Sequence, residues 1–150
     1  MKNQYLVIRP FDGAADTEKL SNIWFDASMK AHPFIGEPRL VEQRKQIKEE
    51  YLQKAETWVA CYDGEPVGFI SLLDSFIGGI FIAPDRQGQG IGHKLIAHAQ
   101  ALKGKLSLEV YTANDQAVRF YRSLGFTELS RRDVDDFGYP YPNAALQLNG

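Results

Sequence analysis

Cysteine is almost absent from this chain: Cys61 stands alone among 150 residues, which excludes an intramolecular disulfide and any cysteine-rich zinc site. An excess of charge is missing too. Seventeen Lys and Arg meet nineteen Asp and Glu, a net charge of -2 with the signs well mixed, so neither a basic face for nucleic acid nor an acidic tail is expected. Nowhere do 18 apolar residues follow one another, and the apolar run in "MKNQYLVIRPF" is too short for a signal peptide. No His, Cys or Asp residues recur at metal-ligand spacing, so no metal is expected. A soluble cytoplasmic protein with no nucleic-acid or membrane partner follows as the expectation, as a monomer or a homodimer. Repeats, low-complexity tracts and linkers are also missing. Residues 1–150 read as one domain, long enough to bury roughly 70% of the surface the unfolded chain would expose.

What is present is an alternation of short apolar runs. Residues 4–11, "QYLVIRPF", are rich in β-formers and close at Pro10, which predicts a first strand. Leu20, Ile23, Trp24, Ala27 and Met29 approximate helical spacing over residues 16–30, and His32-Pro33 ends that helix. A second, more polar helix follows Pro38, with Leu40, Val41, Ile47, Tyr51 and Leu52 as its apolar stripe. Residues 57–62 and 66–73 form a hairpin about Asp63-Gly64, and "FIGGIFIAP" is a further strand. A helix over about 90–103 ends at Gly104. A strand in "KLSLEVYTAN", a short helix closed by Gly125, and two last strands in "ELSRRDV" and "AALQLN" complete the order βααβββαβαββ, an α+β domain.

The stretch "PDRQGQGIGHKL" places Gly88, Gly90 and Gly92 at alternate positions where a strand gives way to a helix. A Walker loop fails here, because Gly88 to Gly92 is one residue short and Lys94 is followed by Leu95. The dinucleotide fingerprint fails as well, with His93 or Leu95 where its third glycine belongs. The pattern Q/R-x-x-G-x-G/A is met at every position by Gln87, Gly90 and Gly92. Downstream, "NDQAVRFYRSLGF" meets N-x-x-A-x-x-F-Y-x-x-x-G-F from Asn114 to Phe126. In order and separation these two motifs resemble the acyl-coenzyme A loop and the second signature of the GNAT superfamily of N-acetyltransferases.

That resemblance implies a mixed, mainly antiparallel sheet of about seven strands with about four helices, in which strands four and five splay apart. It implies acetyl-coenzyme A as cosubstrate and an amine acceptor, either a small molecule or a protein amino group. The pyrophosphate would rest on the amides of Gln87, Gly88, Gln89, Gly90, Ile91, Gly92 and His93, since glycines bare the unpaired N–H groups of a helix's first turn. Three or four charge-assisted hydrogen bonds there contribute roughly 5–12 kcal/mol in sum against an association cost of about 4–15, so further contacts are needed. By the same resemblance the pantetheine arm would pair with backbone groups of Ile80, Phe81 and Ile82, in the manner of an added strand, and receive the side-chain amide of Asn114.

Tyr121 occupies the motif's tyrosine and would protonate the departing thiolate in a ternary complex. A backbone N–H near Phe81 or Ile82, turned inward by a bulge, would hold the oxyanion. The acid that many relatives carry on strand four is missing from "FIGGIFIA", which leaves Asp74, Glu109, His32 or water as the base. His32 and Phe34, between the first two helices, and Tyr139 and Tyr141, on a loop before the last strand, fall where the family builds its acceptor side. Cys61 reads as a core residue and His98 as a surface one. The alternative to an enzyme is a non-catalytic acyl-coenzyme A binding or sensing module.

Overall fold

The computed structural model describes residues 5–136 and 138–149; Gln4, the expected start of the first strand, lies outside them. Strands β1 (Leu6–Pro10), β2 (Glu56–Tyr62), β3 (Glu65–Leu73), β4 (Phe76–Ile82), β5 (Leu106–Tyr111), β6 (Thr127–Arg132) and β7 (Asn143–Leu148) form one sheet in the order β1-β2-β3-β4-β5-β7-β6. Helices α1 (Gly13–Ala31), α2 (Glu37–Gln46), α3 (Ile91–Lys103) and α4 (Asp115–Ser123) cover it. The expected element order and mainly antiparallel sheet are both present.

Local chemistry explains the boundaries. The Asp12 carboxylate accepts from Ala14 N at 3.1 Å and caps α1, so the helix begins about a turn earlier than expected, at Gly13 rather than near Asp16. Asp16 is thereby buried, and Arg9 from β1 holds it through a fork of two bonds at 2.7 and 2.9 Å. Asp63 and Gly64 both take positive φ, 51° and 81°, the geometry of a tight hairpin turn. β3 is buried over most of its length, because α1 and α2 pack on one face of the sheet while α3 and α4 pack on the other. Leu40 and Leu52 of the second helical segment are buried, whereas Val41, expected in the stripe, is 53% exposed: it lies about 100° around the helix from Leu40. His98 is the other difference. It packs edge-on against Trp58 at 4.5 Å, and its Nε2 is buried rather than at the surface.

One irregularity shapes the centre of the sheet. Ser71 pairs with Gly79 but Leu72 pairs with Ile77, so Gly78 is an extra, bulged residue of β4. β4 and β5 run parallel and pair only at Phe76↔Ser107 and Ile77↔Leu108, and they part from Gly78 onward. The helix facing that point is itself irregular: α2 continues through a π-helical turn, Ile47–Tyr51, into a last turn at Leu52–Lys54. This turn lays the Tyr51 hydroxyl where a side chain at position 78 would begin, so any residue other than glycine would have to push Tyr51 aside. The bulge was expected near Phe81 or Ile82. Those residues instead pair regularly with Phe69 and Gly68, and the bulge falls at the glycine beside Tyr51.

Candidate functional site

Where β4 and β5 separate, a cavity of about 560 Å³ opens, within the range of small-molecule sites. Ile80, Phe81 and Ile82 line it from β4, and beyond Ile77 the β5-facing edge of β4 has no strand partner. An extended ligand with amide groups would complete that ladder.

One end of the cavity is built for an anion. Gly90 stands at the N-cap of α3 with φ +82°, no side chain caps the helix, and Gly88 has φ +80°. The first-turn N–H groups of α3 are therefore left for a ligand, with the positive end of the helix dipole behind them. Gln87, Gly88, Gly90, Ile91, Gly92 and His93 all line the cavity; Gln89 does not. Gln87 clasps rather than dangles: its Nε2 donates to Ile82 O at 3.2 Å, and its Oε1 accepts from Lys30 Nζ at 2.9 Å. Lys30 and Arg86 add cationic charge to the same wall. Lys30 carries no motif, and only its position in the fold reveals it.

Tyr121 lines the cavity from α4 and is 9% exposed. Its ring stands edge-on to Phe120 at 5.3 Å and Phe126 at 5.5 Å, and burial pushes its phenol above the ordinary tyrosine range. Phe120 in turn touches the loop, its Cζ lying 3.2 Å from where a Cβ on Gly92 would stand. The two motifs thus meet in space.

His32 and Tyr111 also line the cavity. His32 packs edge-on to Phe34 at 5.7 Å and to Tyr111 at 5.1 Å, and burial pulls its imidazole down to about 4, so it is neutral at physiological pH. Phe34, Tyr139 and Tyr141 do not line the cavity. Phe34 and Tyr141 pack against Tyr111 at 5.6 and 6.2 Å, and Arg39 fastens the layer by donating to Tyr141 Oη at 3.1 Å and stacking 3.6 Å over the Tyr139 ring. Asn114 caps α4, its Oδ1 accepting from Ala117 N at 3.2 Å, and its Nδ2 lies 3.3 Å from His32 Nε2.

The candidate bases separate. Asp74 occupies the β3–β4 turn at φ 55° and does not line the cavity. Glu109 does, and pairs with Arg132, which also binds Asp136 at 2.8 Å. Burial makes the His32 imidazole a weak base, and its Nε2 lone pair already faces the Asn114 amide nitrogen, which sets His32 apart from that role. Among the described residues no group of His, Cys, Asp and Glu could hold a metal, and no helix is long and apolar enough to cross a membrane.

A sheet split between two parallel strands, with a bare helix N-terminus at one end and a buried tyrosine beside the split, forms a cleft suited to a long ligand with an anionic end. A family model described as an acetyltransferase (GNAT) domain matches residues 53–128. The chain is 40% identical over 126 residues to the peptidyl-lysine N-acetyltransferase YjaB of Salmonella typhimurium, covering 83% of this chain and 86% of that one. It is 36% identical over 134 residues to the Escherichia coli protein of the same name, covering 89% and 90%. The solution structure of apo YjaB from Escherichia coli superposes with a TM-score of 0.87 at 33% identity, over 95% of this chain and 97% of that one. The chain belongs to the GNAT acetyltransferase family, and it is an acyltransferase.

Proposed function

We propose that this protein moves an acetyl group from acetyl-coenzyme A to the side-chain amine of a peptidyl-lysine, by direct attack within a ternary complex. The observation that carries the reading is the continuity of one cleft, from the bare first turn of α3, along the unpaired edge of β4, to Tyr121. The acetyl donor follows from the family. The acceptor is argued from the two relatives named peptidyl-lysine N-acetyltransferase, and Glu109 offers an amine one carboxylate on the cavity wall.

In the reaction the lysine nitrogen, as free amine, forms a bond to the thioester carbonyl carbon. The carbon–sulfur bond then breaks, and Tyr121 gives its hydroxyl proton to the departing sulfur. Burial keeps Tyr121 protonated, and the same apolar surroundings raise the basicity of the thiolate, so donor and acceptor stay matched. The amine's surplus proton leaves by Glu109 or by water at the cleft's mouth. Backbone N–H groups of β4 hold the oxyanion. The protein, acetyl-coenzyme A and a lysine peptide are combined and followed by thiol release and by peptide mass. An added 42 Da on lysine with stoichiometric thiol is the expected result. Coenzyme binding with no turnover on peptides, polyamines or free amino acids would leave a binding module instead.

A further inference from the structure

Asn114 is more constrained than a cap needs to be. Its Oδ1 accepts from Ala117 N, and that fixes which end of the amide is oxygen. The nitrogen therefore faces His32 Nε2 at 3.3 Å. Since an amide nitrogen only donates, His32 must accept there, with its own proton on Nδ1. The ring cannot swing away, because Phe34 and Tyr111 stand edge-on against it. An amide nitrogen has two hydrogens. One is taken by His32, the other has no partner among the described residues, and Asn114 lines the cavity.

We propose that His32 is a positioning residue for coenzyme binding: with Ala117 N it clamps both ends of the Asn114 amide, so that one remaining N–H is held for the pantetheine arm. This rests on the coenzyme reading above and reassigns His32 from the acceptor to the donor substrate. The clamp also ties the end of α1 to the start of α4 across the mouth of the splayed strands. Preorganising the donor removes an ordering cost that binding would otherwise carry.

Calorimetric titration with coenzyme A needs no acceptor and no turnover, and so separates this inference from the catalytic reading. His32→Leu keeps an apolar side chain but removes the acceptor. It raises Kd for coenzyme A, and KM for acetyl-coenzyme A, about three- to tenfold, the worth of one hydrogen bond, while kcat stays within about twofold. His32→Gln, whose Oε1 reaches as far as Nε2, restores affinity to within about twofold. In an Asn114→Ala background His32→Leu has no further effect. Additive losses, or a rise confined to the acceptor's KM, would overturn the proposal, as would failure of His32→Gln to restore affinity in a variant whose melting temperature matches the wild type. Wild-type protein that does not bind coenzyme A would instead overturn the coenzyme reading itself.

Discussion

Replacing Gly90 by alanine separates a ligand loop from an ordinary turn. Gly90 holds φ +82° at the N-cap of α3, and a Cβ there would meet nothing within 4 Å, so packing imposes no cost. The cost is conformational. An L-residue in the left-handed region loses about 1–2 kcal/mol, and for a chain of this size each kcal/mol lowers Tm by roughly 2–4 °C. If the backbone relaxes instead, the amides of Gly90 and Ile91 turn out of the cavity, and each charge-assisted bond lost costs about 1.5–3 kcal/mol, or roughly ten- to a hundredfold in Kd. Gly92, in the first turn of α3 and on the cavity wall, is the comparison for stability: alanine there gains up to about 1 kcal/mol of helix propensity, but its Cβ would come within 3.2 Å of Phe120, so the two effects oppose each other and stability changes little. Thermal melts and coenzyme A titrations on both variants are the assay. A Gly90→Ala protein that melts lower yet binds coenzyme A with undiminished affinity would refute the loop as a phosphate site.

Other outcomes follow from the same geometry. Tyr121→Phe lowers kcat about a hundredfold or more, the usual range for a lost general acid, and leaves coenzyme Kd nearly unchanged; an unaffected kcat would contradict its role. Gly78→Ala drives a Cβ into the Tyr51 hydroxyl and destabilises by about 1–3 kcal/mol in chemical denaturation, and Tyr51→Leu in the same chain recovers most of that; additive losses would count against the contact. Acid lowers stability in two stages. The pKa of His32 is depressed on folding, so the unfolded chain binds more protons between pH 6.5 and about 4, and stability falls as pH drops through that window unless His32 is replaced by Gln. The Arg9 guanidinium holds Asp16 below its ordinary value of 3.8, so its contribution is complete above that pH and is lost only as pH falls further, a stage absent in Asp16→Asn.

Much of the cleft was legible because its chemistry is written in backbone demands. Gln87, Gly90 and Gly92 announce a bare helix N-terminus, and Asn114 with Tyr121 announces the facing helix, so short-range spacing carried long-range placement. The strand pattern likewise carried the β2–β3–β4 meander, since Asp63-Gly64 and the run "FIGGIFIAP" leave few other pairings, whereas the insertion of β7 between β5 and β6 had no local signal. What escaped depends on contacts between distant segments. The bulge at Gly78 is set by Tyr51, 27 positions earlier in a π-turn that no periodicity signals. Lys30 carries no motif and reaches the phosphate end only because the end of α1 packs there, against Gln87. The pairing of His32 with Asn114 spans 82 residues, and a lone histidine before a proline gives no hint of it.

Amide chemical shifts on titration with acetyl-coenzyme A test the central claim most directly, because they report contact along the whole cleft at once. The account predicts the largest changes at residues 80–82 and 88–93 and at the Asn114 side chain, with saturation at one equivalent. Changes confined to the outer face of α2, around Val41 and Glu49, or no saturable change at all, would contradict it.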